Sequence, residues 1–224
     1  MKQVFVTATG TDVGKTVITC ALTHQLVQAG HAVRTIKPVI SGYTQDTAAS
    51  IDTAEIIQAL GHDMTPETIA QVSPWRFTHP LSPDMAATRE GRAIDYQDLL
   101  TFCRPNGSGE SDVDYLVIEG VGGAFVPLDD THLVVDWILD MNMPAIVVAG
   151  SYLGTLSHTV ATFEAMQGRG VSVSAIVISE SEVSPVPLAE TADAMRRLIP
   201  GIPVVTVPRL DHWTQAPDLT GLIG

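Results

Sequence analysis

Six short strand-like runs, most of them apolar throughout, fall at residues 4–7, 32–37, 115–119, 145–149, 171–178 and 203–207. They are separated by helix-length stretches at 15–29, 51–60, 95–102, 133–140, 155–168 and 188–198. Strands that are apolar at every position must be covered on both faces, and intervening helices supply the crossovers that parallel neighbours need. The pattern predicts a three-layer α/β fold, a mostly parallel sheet flanked by helices. A chain of 224 residues suits one α/β domain or two small ones, of which a single domain spanning 1–224 is favoured. At 45% hydrophobic and 17% charged residues, the composition argues against a disordered chain. Gly30 and Gly61 mark helix ends, and Pro38 stops the second strand. The proline-rich stretch 66–83 reads as a wandering loop, and 104–112, with Asn106-Gly107-Ser108-Gly109, as an exposed, mobile connection.

In folds of this kind, ligands sit at the carboxyl ends of the strands. The first strand runs into Ala8-Thr9-Gly10-Thr11-Asp12-Val13-Gly14-Lys15-Thr16 and then a helix. Small residues let backbone wrap phosphate oxygens, and a helix N-terminus turns N–H groups toward them. Lys15 is placed to reach β- and γ-phosphates, and the Thr16 hydroxyl to ligate magnesium. The strict phosphate-loop pattern asks for Gly where Thr9 stands, so the strand–turn–helix context carries the assignment. The fold expected is therefore P-loop NTPase-like, with Asp12, Val13, Gly14, Lys15, Thr16 and Val17 around a nucleotide.

Other strand ends carry charge. Lys37 closes the second strand and would face the same crevice, although the hexapeptide from Lys37 to Gly42 alone suits a surface Lys before a turn. Asp52 is either a helix cap, boxed by Glu55, or a magnesium ligand. Glu119 ends an apolar strand before Gly120-Val121-Gly122-Gly123; a carboxylate there is costly to desolvate without a cation or donors. The turn at 149–155 starts a helix whose N-terminus suits a carboxylate, with His158 as a ligand contact or a structural histidine. Trp75, Arg76 and Phe77 border a pocket or cover the sheet.

The net charge of −13 and pI near 4.7 oppose nucleic-acid binding. Cys20 and Cys103 do not make a disulfide framework, and no Cys/His spacing suits zinc. Ser41, Ser82 and Ser157 lack a nucleophile-elbow pattern. The apolar start of the chain is too short for a signal peptide or membrane span, which predicts the cytoplasm and no membrane partner.

The ordered set resembles the dethiobiotin synthetase family over nearly the whole chain. It comprises Phe5-Val6-Thr7 with Gly14-Lys15-Thr16, Lys37-Pro38-Val39 with Ser41-Gly42, Asp52, Pro74, Phe77, Ser82-Pro83 and Glu90-Gly91. It continues through Glu119-Gly120-Val121-Gly122-Gly123, Asp136-Trp137, Leu153-Gly154 with His158, and Pro208. The resemblance implies an ATP- and magnesium-dependent cyclo-ligase of biotin biosynthesis. Such an enzyme forms a cyclic urea from 7,8-diaminononanoate and carbon dioxide (or bicarbonate) through a carbamate and a carbamic–phosphoric anhydride. It further implies magnesium on Thr16, Asp52 and Glu119, and charge stabilisation by the catalytic residues Lys15 and Lys37. Thr11, Lys37 and Ser41 would line the carbamate. The nucleotide would extend over Asp52, Glu119, Gly120, Val121, Gly122, Ser179, Glu180, Pro208, Arg209 and Leu210. In a homodimer with sites at the interface, residues around Gly150, Leu153 and Gly154 of the second subunit would bind the distant substrate carboxylate. Replacing Lys37 by Ala is expected to slow turnover and leave the fold intact.

Four positions depart from the family pattern: Ala8 replaces a usual Gly, Gly10 a frequent Asp, Ser157 a common Asn, and Ser179 the Asn that reads adenine. A Ser does not present the paired donor and acceptor of Asn, so relaxed nucleotide selectivity is expected, or selectivity resting on backbone at 208–210. A related amidotransferase synthetase would need a glutaminase domain for which this chain is too short. A partitioning or septum-positioning ATPase switch usually carries an additional Lys early in the loop, and positions 8–14 hold none. The stretch 211–224 is also short and not basic.

Overall fold

In the computed structural model, which describes residues 1–44, 52–104 and 113–223, the six expected strands form one wholly parallel sheet. They are β1 (Lys2–Ala8), β2 (Val33–Ile36), β5 (Tyr115–Glu119), β6 (Ala145–Ala149), β7 (Val173–Ser179) and β8 (Val204–Val207), in the order β2-β5-β1-β6-β7-β8. Strand β1 is central, registered on β5 (Val6↔Glu119) and on β6 (Ala8↔Val148). Its side chains alternate between two cores. Phe5 packs edge-on to Trp137, ring centroids 4.8 Å apart, on one face; Val4, Val6 and Ala8 pack with Ile18, Ala21 and Leu22 on the other. This is why the run is apolar without alternation.

The expected helices form as α1 (Lys15–Gln28), α2 (Asp52–Ala59), α5 (Tyr96–Cys103), α6 (Val134–Met141), α7 (Thr155–Gly168) and α8 (Leu188–Leu198). Asp95 caps α5 by accepting from Asp98 N–H at 3.0 Å. The mobile connection expected at 104–112 lies, beyond Arg104, outside the described residues, as does Ile51, the first position of the helix expected at 51–60.

The loop expected over 66–83 is not one. It contains α3 (Pro66–Val72) and β4 (Trp75–Phe77), and α4 (Pro83–Arg89) begins at its end. Pro66 and Pro83 sit in the first turns of their helices, where a missing N–H costs nothing, so they start elements rather than break them. Thr65 and Thr68 form a reciprocal capping box on α3. Strand β4 pairs in parallel with β3 (Val39–Ser41), a second small sheet beyond the end of β2. Trp75 packs edge-on to Phe102 and Phe77 is fully buried, so these two cover the core, while Arg76 donates to the Ser73 carbonyl; none of the three lines the cavity described below.

The stretch after β8 is tied down. Trp213 is buried and donates to Glu55 Oε2 at 2.7 Å, while Gln25 binds the Pro217 carbonyl and Leu219 N–H. Among the described residues, no helix is long and apolar enough to cross a membrane.

Candidate active site

The turn between β1 and α1 curls at the carboxyl end of the central strand. Gly14 has φ +99°, and a Cβ there would lie 2.5 Å from Ser179 Oγ, so only glycine fits without displacement. From the other side the glycine turn after β5 closes in: a Cβ on Gly123 would lie 3.2 Å from Gly10 N, and Ala124 N–H donates to the Ala8 carbonyl at 2.9 Å. The loop is therefore held between the Ser179 side chain and the backbone of the glycine turn.

The charged strand ends meet here. Ile36 and Ile118 are registered across β2 and β5, so the next residues, Lys37 and Glu119, emerge side by side. Lys37 Nζ donates to Glu119 Oε1 at 2.8 Å and also to Asp52 Oδ2. Thr16 Oγ1 donates to the same Glu119 Oε1, again at 2.8 Å. Lys15 Nζ donates to the Gly10 carbonyl at 3.3 Å within its own loop. Lys37 is 5% exposed, Lys15 6% and Glu119 0%. The surface-lysine reading of Lys37 is thus excluded. For Asp52, the carboxylate goes to Lys37; Glu55, which would complete a capping box, is engaged by Trp213.

Burial alone would lower the Lys37 pKa, but Glu119 and Asp52 outweigh it and hold the ammonium above the usual lysine value. Lys15 moves the other way: burial lowers it, Glu119 opposes, and neighbouring Lys37 adds to the fall. Burial works against the Asp52 carboxylate, yet the Lys37 charge and hydrogen bond hold it below the usual range. One acceptor is left over: Glu119 Oε2 is buried with no hydrogen-bond partner among the described residues. An orphaned carboxylate oxygen inside a protein is costly and points to a cation or donor absent from the protein alone.

A cavity of about 740 Å³ opens above these groups. Of the residues expected at the site, it is lined by Thr11, Asp12, Gly14, Lys15, Thr16, Val17, Lys37, Ser41, Asp52, Val121 and Gly122. Glu119 and Gly120 are buried outside its lining, and Val13 packs partly into the core under α1. Ser179, Glu180, Pro208, Arg209 and Leu210 gather separately at the ends of β7 and β8. There Glu180 N–H donates to the Val207 carbonyl at 2.9 Å, and Glu180 Oε2 accepts from Arg209 N–H at 2.9 Å. They approach the phosphate loop at Gly14, through Ser179. Gly150, Leu153 and Gly154 do not line this cavity. His158 Nδ1 lies 2.9 Å from the Tyr152 hydroxyl, and Leu153 stands 86% exposed.

The sequence expectations for the cavity omit Ile40, Pro80, Leu81 and Val126, which line it together with Ser82 and Pro83. Ser82-Pro83 before a helix is the one local sign that this segment has a fixed place.

The family model described as an AAA domain matches residues 2–216. An ATP-dependent dethiobiotin synthetase BioD of Acidiphilium cryptum (strain JF-5) is 41% identical over 204 residues, covering 91% of this chain and 91% of the relative. The relative so named in Caulobacter vibrioides (strain NA1000 / CB15N) is 39% identical over 213 residues, covering 95% of each. ATP-dependent dethiobiotin synthetase BioD 1 of Escherichia coli O157:H7 is 32% identical over 199 residues, with 89% of this chain and 87% of the relative covered. Among solved structures, a ParA family ATPase from Chlorobium tepidum TLS aligns with TM-score 0.53 at 18% identity, over 94% of this chain and 86% of that one. The MinC:MinD cell division protein complex of Aquifex aeolicus aligns with TM-score 0.57 at 11% identity, over 94% and 83%. At these identities the structural likeness shows the P-loop NTPase fold alone.

Proposed function

The chain belongs to the dethiobiotin synthetase family, and from that premise we propose how its site closes the ureido ring of dethiobiotin from 7,8-diaminononanoate, carbon dioxide and ATP. The observation that carries the reading is the convergence of Lys15, Lys37 and Thr16 on one cavity wide enough for a triphosphate and a small diamine, with Glu119 buried beneath it and bonded to both Thr16 and Lys37.

ATP lies along the phosphate loop, its β- and γ-phosphates on backbone N–H groups between Asp12 and Val17 and on Lys15. To reach them, Lys15 gives up its bond to the Gly10 carbonyl. Carbon dioxide adds to one substrate amine, which loses a proton and becomes a carbamate. Thr11, Ser41 and Lys37 hold it. The Ser41 hydroxyl is buried without a partner among the described residues, which leaves it free to donate to a carbamate oxygen. A carbamate oxygen attacks the γ-phosphorus and ADP departs. The second amine then attacks the carbamoyl carbon of the anhydride and phosphate leaves, closing the ring. No protein nucleophile is required; the two ammonium groups stabilise charge spread over the transferring phosphoryl and the carbamate.

Magnesium fits the residues present. Glu119 supplies an unpartnered buried oxygen, beside the Thr16 hydroxyl and the Asp52 carboxylate. Among the described residues, no three His, Cys, Asp or Glu side chains gather for a metal. A site of two carboxylates and one hydroxyl leaves coordination positions for phosphate oxygens and water, as magnesium prefers. When bound it neutralises phosphate charge.

A cytoplasmic homodimer completes the reading. Gly150, Leu153 and Gly154, outside the lining of the cavity of their own protomer, would serve the partner's substrate carboxylate, and exposed Leu153 suits burial between subunits. The test is to supply 7,8-diaminononanoate, bicarbonate, magnesium and ATP and to measure phosphate release. No release above the blank without diamine overturns the assignment.

A further inference from the structure

Glu90 lies outside the cavity, yet donors converge on it. Its Oε1 accepts from the Thr78 N–H at 2.6 Å and the Thr78 hydroxyl at 2.8 Å, and lies 3.4 Å from His79 N and 3.3 Å from His79 Nδ1. Arg92 approaches Oε2 at 3.4 Å, donates to the Arg76 carbonyl at 2.7 Å and lies over the Phe77 ring. The Glu90 side chain is 15% exposed. Glu90 caps the C-terminus of α4, so its carboxylate reaches back twelve residues and closes a clasp around that helix.

What the clasp holds is cavity wall. The residues that follow Thr78 and His79, from Pro80 to Pro83, line the cavity. The His79 carbonyl accepts from Gly42 N–H at 3.3 Å and the Phe77 carbonyl from Tyr43 N–H at 2.9 Å, so the same turn anchors the exit of β3 just past Ser41. Burial works against charge on Glu90, but Thr78 and His79 hold its carboxyl down to about 2, so it is ionised at any working pH. Hydrogen bonds to an ionised acceptor are roughly twice as strong as neutral ones, which suits a clasp that must not slip.

We propose that Glu90 is a positioning residue for the diamine: it fixes the Pro80–Pro83 wall and, through the His79 carbonyl, the backbone beside Ser41. The proposal rests on the ligase reading above. The phosphate loop makes no part of the clasp, so ATP binding should be spared.

The experiment is steady-state kinetics on the full chain. Wild type is measured first; absence of diamine-dependent phosphate release there defeats the ligase reading, not the clasp. In E90A, the KM for diamine should rise roughly tenfold or more, while the KM for ATP stays within about twofold and kcat falls less than KM rises. In E90Q, which keeps one acceptor oxygen, an intermediate rise is expected. If E90A does not fold, E90Q alone decides. An unchanged diamine KM overturns the proposal. So does an equal deterioration of kcat and both KM values, which would mark Glu90 as a fold residue only.

Discussion

Lys37 and Glu119 occupy the positions just past the registered pair Ile36↔Ile118, and their charged groups meet at 2.8 Å with almost no exposure of either. Parallel register therefore turns two residues 82 apart in sequence into one buried ion pair. A buried pair with one member removed leaves an uncompensated charge, which commonly costs more than the pair ever contributed.

For that reason Lys37→Ala is expected to damage both rate and stability, against the simpler expectation of a rate effect on an intact fold. Glu119 would be left buried beside Asp52 without the ammonium that bonds to both. Removing one partner of such a pair costs about 3–5 kcal/mol of stability. Loss of a charge aimed at the transition state adds a fall of ~10²–10³ in kcat. Urea unfolding and phosphate release on the same preparation check both parts. A wild-type unfolding midpoint would mean the cluster relaxes by taking up water.

The same cluster sets a pH signature. Lys37 has a native pKa above its ordinary 10.5, so the stability it contributes is fully present below about that pH. It is lost as pH rises through the native value. Asp52 is depressed below its ordinary 3.8, so its contribution is present above that pH and lost as pH falls through the native value. The stability gap between wild type and Lys37→Gln should stay constant from about pH 6 to 9 and narrow above about 10.5. Unfolding midpoints across that series give the answer; a gap that widens on the alkaline side contradicts the sign.

The sheet, its helices and the meeting of Lys15, Lys37 and Glu119 are legible in the sequence because each rests on local pattern. An apolar run ends in a charged residue, and parallel topology brings those ends to one edge. Other features depend on closure at a distance. Strands β3 and β4 are three residues each, too short to show a period. Pro66 and Pro83 read as breakers because proline alone does not distinguish a helix start from an interruption. The wall from Pro80 to Pro83 reaches the cavity through a turn tied down by Glu90, and nothing in residues 78–83 announces that partner. For Asp52, spacing favours a capping box; the tertiary contacts of Asp52 with Lys37 and of Glu55 with Trp213 decide against it.

Nucleobase selectivity should be loose. Ser179 fills the niche beside Gly14, where there is no space for a Cβ on the loop, and its single hydroxyl offers no paired amide edge. The neighbouring Glu180 carboxylate already takes up Arg209 N–H, one of the backbone donors open to a base at 208–210. Sites built on paired hydrogen bonds reject an analogue by about 10⁴–10⁵, whereas shape alone rarely exceeds ~10². Phosphate release with CTP in place of ATP is therefore expected within about 10² in kcat/KM. A preference for ATP of 10⁴ or more would mean that another group reads adenine.

Leu153 tests the assignment of Gly150, Leu153 and Gly154 to the partner's site. A leucine 86% exposed at the N-terminal turn of a helix is out of place on an isolated protomer, and Val183, in the segment hydrogen-bonded to Ser151 through Ser181, is 78% exposed. Burying both between subunits removes that apolar surface from water, worth roughly 1.5–3 kcal/mol per large aliphatic side chain. Leu153→Asp places a charge in the interface and should weaken dimerisation at least tenfold, read by light scattering over a dilution series. Because Leu153 sits beside the backbone assigned to the substrate carboxylate, the diamine KM should rise as the dimer dissociates, with ATP binding retained. Wild-type assembly together with a wild-type diamine KM would remove both the interface and the shared site.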